Sequence, residues 1–121
     1  MEPRSTERWS GLFARLRADE SAREALLARR REQAWALART LVDGFGVSKV
    51  ILFGSVARGE ISGRLDIDLA VLGLDEADEL RALSALSEEA GCPVDLVRLE
   101  TASPRLISAV ERDGQVLDER R

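Results

Sequence analysis

Leu52-Phe53-Gly54-Ser55-Val56-Ala57-Arg58-Gly59-Glu60, followed a few residues on by Asp66-Ile67-Asp68-Leu69-Ala70-Val71, is the stretch that decides the fold. The first part closes a β-rich run, Val47 to Phe53, on a Gly-Ser turn. The second, Asp66 to Leu72, alternates charged and apolar residues as a strand does. Successive strand side chains point to opposite faces, so Asp66 and Asp68 share one face while Ile67, Leu69 and Val71 enter the core. Two like charges about 4 Å apart cost roughly 4 kcal/mol at an effective dielectric near 20. A bound divalent cation offsets that cost, and hard oxygen ligands suit Mg²⁺. Asp95, between Val94 and Leu96 on the next strand, is the candidate third carboxylate. Gly54 lets a backbone approach phosphate oxygens closely, Ser55 adds a hydroxyl, and Arg58 reads either as a phosphate-neutralising guanidinium or as a solvated loop charge.

Outward from this stretch, residues 56–64 read as loop, punctuated by Gly59 and Gly63. Glu76 to Ala90 reads as a helix burying Leu80, Leu83 and Leu86, stopped by Gly91. Val94 to Leu99 is a third strand. Ser103 as N-cap and Pro104 at the first helical position open a last helix that ends near Asp113-Gly114. Gln115 to Leu117 can form a short edge strand. Upstream, residues 5–18 carry Trp9, Leu12, Phe13 and Leu16 at helical spacing. A further helix spans 21–42, with Leu27, Ala34, Ala38, Leu41 and Phe45 on one stripe and Gly44 and Gly46 as stops. Whether these are one helix or two stays open, because Asp19, Glu20 and Ser21 offer a cap between them. Arg29-Arg30-Arg31 reads as a solvated helix face, and Trp9 and Trp35 as core or partner contacts. The expected architecture is α/β: a small mixed sheet flanked by helices, with the carboxylates on its open face. The first two strands should pair antiparallel, and the β-α-β unit from Asp66 to Leu99 should make a parallel, right-handed crossover.

Composition bounds the chemistry. The chain has 121 residues and no His, which removes His metal ligands, His general bases and the Ser-His-Asp and Cys-His systems. Cys92 is the lone cysteine, so no internal disulfide forms, and it reads as a small core residue. With no signal peptide in view, the cytoplasm is the expected compartment, and no apolar run is long enough to span a membrane. A net charge of −4 argues against direct nucleic-acid binding.

The paired motif resembles the minimal nucleotidyltransferases of the DNA polymerase β-like superfamily, whose signature is a Gly-Ser turn followed by Asp-x-Asp on the next strand. The resemblance runs from about Val47 to Leu117. It implies a nucleotidyltransferase domain over 47–121 and an N-terminal helical extension over 1–46, the whole forming one compact unit. It implies that Asp66, Asp68 and Asp95 bind metal, with Asp95 helping to activate an acceptor hydroxyl, and that Gly54, Ser55 and, less directly, Arg58 hold the nucleotide. Leu65 departs from the family, which usually has a small polar residue just before Asp-x-Asp. Larger members carry extra domains for tRNA, DNA or antibiotic substrates. Small stand-alone members resemble the antitoxin of toxin–antitoxin pairs, whose partner is a HEPN-type ribonuclease toxin that accepts AMP on a tyrosine. The expected function is therefore Mg²⁺-dependent transfer of AMP from ATP to a protein hydroxyl. The rival readings are a binding module that neutralises a toxin by contact alone, kept in view by Leu65, and a small-molecule nucleotidyltransferase of the aminoglycoside-modifying kind. Self-association is left open.

Overall fold

The computed structural model describes residues 4–120. Helix α1 (Arg4–Phe45) is followed by β1 (Lys49–Phe53), a short α2 (Gly54–Arg58), β2 (Ile67–Leu72), α3 (Glu79–Ala90), β3 (Val94–Arg98), α4 (Pro104–Asp113) and β4 (Gln115–Glu119). The open question at the N-terminus resolves to one helix of 42 residues. Asp19, Glu20 and Ser21 do not interrupt it, since helix formers without Gly or Pro flank them from Leu12 to Asp43. It ends where Gly46 takes a φ of 69°, with the Gly46 and Val47 N–H groups donating back to the Val42 and Leu41 carbonyls at 3.2 and 3.3 Å.

The strands form one mixed sheet in the order β3-β2-β1-β4. As the loop connection and the β-α-β crossover predict, β1 and β2 run antiparallel and β2 and β3 parallel. β4 closes the far edge antiparallel to β1, two residues longer than expected, with a bulge between Val50 and Ile51. On one sheet face, Val50, Leu52, Ile67, Leu69 and Val71 meet Leu27, Ala34, Leu37, Ala38 and Leu41 of α1 and Ala82 and Leu86 of α3. The buried part of α1 thus belongs to the same core as the strands. On the other face, Ile51, Phe53 and Ala70 pack with Val110 of α4. The face expected to be open is therefore covered by α4 at its centre and left accessible at one end.

Two elements differ from expectation. Residues 54–58 are helical rather than loop, and α2 ends on Gly59 at a φ of 78°. α3 is rotated: Ala82, Leu86 and Ala90 are its buried residues, while Leu80 is 81% exposed. Alanines facing Ala34 and Ala38 let α1 and α3 approach closely, and that close packing sets the rotation. Among the described residues no helix is long and apolar enough to cross a membrane.

Candidate active site

Asp68 and Asp95 stand side by side on the sheet face that α4 packs against. Asp68 lies opposite Phe53 of β1 on one side and opposite Asp95 of β3 on the other. Directly paired residues on neighbouring strands project to the same face, so the register places Asp95 beside Asp68. Asp66 precedes β2, two residues from Asp68. Burial, then the charges of Asp95 and Asp66, push the Asp68 carboxyl up to about 6, and the positive charge of Arg58 acts in the opposite direction.

Gly54 forms the wall of this site. Its φ is 77°, and a Cβ built there would lie 2.2 Å from Asp68 Oδ2. Both the left-handed backbone and the close carboxylate demand glycine. Gly54 and Ser55 open α2, and the first N–H groups of a helix have no intrahelical acceptor. Arg58, at the other end of α2, is already engaged: its Nε and Nη2 donate to the two Glu60 carboxylate oxygens at 2.8 and 3.2 Å, and its Nη1 donates to Asp113 Oδ2 at 3.0 Å. Asp113 is held below the ordinary carboxylate range by Arg112 and then by Arg58. The bidentate fork assigned to phosphate is spent on Glu60, so Arg58 is a fixed positive charge beside Asp68. Glu60 and Asp113 were not legible as its partners: Glu60 lies two residues away in a loop, and Asp113 lies on a distant helix.

Leu65 is buried, 1% exposed, and packs into the α1–α3 core. Its side chain leaves the carboxylate face at a φ of 58°, the one positive φ at a non-glycine residue among those described. The Arg run on α1 is more than a solvated face. Arg30 Nε donates to the Leu65 carbonyl at 3.1 Å, Arg31 Nε to the Val56 carbonyl at 3.2 Å, and Arg23 to the carbonyls of Ile61 and Gly63. A signal was present, since positions 23, 30 and 31 flank the Leu27–Ala34 stripe at helical spacing. Trp9 and Trp35 are about half exposed and lie outside the core. Cys92 is half-buried against the core, and burial raises its thiol.

Among the described residues no three acidic or sulfur ligands close into an all-protein metal cage. Mg²⁺ ordinarily takes one or two carboxylates and completes its shell with water and substrate phosphate. Asp68 and Asp95, paired hard donors on adjacent strands, fit that mode of binding.

Residues 36–121 match the family described as Polymerase beta, Nucleotidyltransferase. No curated protein matches the chain. Among solved structures, a minimal nucleotidyltransferase is 36% identical over 77% of this chain and 93% of its own, with a TM-score of 0.56. A toxin–antitoxin structure with AMP-PNP is 28% identical over 72% of this chain and 74% of its own, with a TM-score of 0.62. A third, a tri-AMPylated HEPN toxin from Shewanella oneidensis in complex with its MNT antitoxin, is 28% identical over 73% of this chain and 71% of its own, with a TM-score of 0.59.

Proposed function

The chain belongs to the polymerase beta nucleotidyltransferase family, and on that footing we propose that it transfers AMP from ATP to a hydroxyl, a tyrosine of a HEPN-type toxin partner, and so acts as an antitoxin. The observation that carries this reading is the pairing of Asp68 with Asp95 across β2 and β3, beside the Gly54 wall and two residues after Asp66. Asp66 and Asp68 are assigned to Mg²⁺ and the nucleotide phosphates. Asp95, the most exposed of the three, is assigned as the third carboxylate, helping to activate the acceptor hydroxyl by accepting its proton. Gly54 and Ser55 are assigned to the triphosphate through backbone N–H and hydroxyl donors, and Arg58 to its charge. A bound Mg²⁺ supplies electrostatic stabilisation of the phosphoryl oxygens. The balance of the reaction is simple: the acceptor oxygen forms a bond to the α-phosphorus, pyrophosphate leaves, and the hydroxyl proton goes to the carboxylate.

One further observation supports the reading. Leu65 points into the core, so its missing hydroxyl leaves no gap in the carboxylate face. The relatives bring AMP-PNP in one structure and an AMPylated HEPN toxin in another. The test is intact-mass spectrometry of a HEPN-type partner after incubation with this protein, ATP and Mg²⁺. An added AMP that disappears with Asp66→Ala is expected. An unmodified partner, inhibited equally by the parent and by Asp66→Ala, makes the protein a neutralising binder instead.

A further inference from the structure

Asp68 and Asp95 stand on neighbouring strands, and α1 touches the chain ahead of each strand. Arg30 donates from Nε to the Leu65 carbonyl at 3.1 Å, one residue before Asp66. Its Nη1 donates to Gln33 Oε1 at 2.9 Å, and Gln33 Nε2 donates to the Ala90 carbonyl at 3.0 Å, at the end of α3 and shortly before β3. Between these two anchored points, the Ile67 N–H donates to the Pro93 carbonyl at 3.1 Å, the bond that sets the β2–β3 register at the site. Arg30 and Gln33 lie three apart on one helix face, so one rigid turn spans both approaches. The Leu65 carbonyl reaches Arg30 while its backbone holds a φ of 58°. Such a conformation in a leucine persists only where its surroundings impose it, and here the buried side chain and the Arg30 bond do so.

The geometry points to Arg30, acting with Gln33, as a positioning residue that holds the Asp66–Asp68 segment and the Asp95 strand in catalytic alignment. Neither side chain is assigned to substrate or metal. Their role is to fix the backbone on which the carboxylates ride. The inference rests on the transferase reading above, because alignment matters only if the carboxylates act together.

The test compares the parent, Arg30→Met and Arg30→Lys. Met keeps the length and apolar packing of the stem without a donor, while Lys keeps one charged donor. Binding of Mg²⁺–AMP-PNP is measured by calorimetry, and backbone amide exchange by NMR. For Arg30→Met we expect nucleotide binding about tenfold weaker, the size of one lost charged-donor hydrogen bond. We also expect faster exchange at the Ile67 amide, with the β1 amides of Leu52 and Phe53 unchanged. Arg30→Lys should recover most of both. Parent-like affinity with parent-like Ile67 exchange in Arg30→Met overturns the proposal. Uniform acceleration of exchange at all core amides also overturns it, since Arg30 would then serve stability alone. If the parent itself fails to bind the nucleotide, the transferase reading falls, and Ile67 exchange still decides whether Arg30 sets the register.

Discussion

Asp68 carries the most perturbed acid near the site, and its direction has a consequence for stability. Its carboxyl is raised from an ordinary value of 3.8 to about 6 by burial first and by Asp95 and Asp66 second. Between about pH 4 and pH 6 the unfolded chain has released this proton while the folded chain keeps it. Stability from this residue is therefore present at the acid end and lost as pH rises through 6. Glu60, Glu100 and Asp113 are lowered and act with the opposite sign, at and below the ordinary carboxylate range. The difference between the parent and Asp68→Asn isolates the effect. Without metal, Asp68→Asn should melt higher than the parent at pH 7 and converge with it near pH 4. A constant difference across that range in thermal melts would refute the assignment. Adding Mg²⁺ and AMP-PNP at about 100 times the dissociation constant should stabilise the parent by roughly 2.7 kcal/mol, and Asp68→Asn should lose most of that gain. Gly54 gives an independent check. Gly54→Ala places a Cβ against Asp68 Oδ2 and forces a left-handed alanine. The backbone penalty alone is about 1–2 kcal/mol, and displacement of the carboxylate should weaken nucleotide binding as well. Urea unfolding and calorimetry that both match the parent would contradict the close approach.

Among the elements, α3 and the segment into β2 show how burial overrides apparent periodicity. Leu80 is solvent-exposed and Leu65 fully buried, although Leu80 sits in a helical leucine pattern and Leu65 in a loop. Leu65→Ala should cost about 2–5 kcal/mol, whereas Leu80→Ala should stay within about 0.5 kcal/mol of the parent. Denaturant melts with those two values reversed would mean that α3 packs through its leucines. The strands were legible because each buries at least one face, and a one-residue slip would turn every apolar side chain outward. That same alternation put Asp66 and Asp68 on one face and left Asp95 as a candidate on the next strand, and the β2–β3 register pairs Asp95 with Asp68. The helix α2 was hidden because Gly54-Ser55 reads as a turn, and five residues are too few to show a period. The left-handed backbone at Leu65 was hidden because leucine seldom adopts it. Arg30 and Arg31 read as solvated charge because their acceptors, the carbonyls of Leu65 and Val56, come near only through tertiary packing. A charge run discloses that it can donate, and only the fold discloses to what.

At the scale of the whole molecule, α1 divides by function along its length. From Leu27 to Val42 it supplies core side chains to the sheet, and from Arg23 to Gln33 it holds the backbone around the site. Toward its start, Trp9, Phe13 and Leu16 are each about half exposed on a helix that extends past the sheet. Apolar residues gathered on one stripe of a projecting helix are costly to leave in water, whereas the bracing arginines all lie beyond residue 18. The segment before them is expected to serve packing or partner docking rather than chemistry. Deleting residues 1–18 should leave the core stripe and every α1 hydrogen bond to the site in place. The truncated protein should keep the parent's affinity for Mg²⁺–AMP-PNP, while its association with a HEPN-type partner, read by analytical ultracentrifugation, should weaken. Starting the chain at residue 32 instead removes Arg23, Arg30 and Arg31 together and should cost nucleotide affinity as well. Loss of nucleotide binding in the folded shorter deletion would place residues 1–18 within the site's support. Unchanged association there would leave the Trp9–Leu16 stripe without a role in assembly. The two deletions separate the functions because the helix is rigid and continuous: what it touches at each level depends only on how far along it one stands.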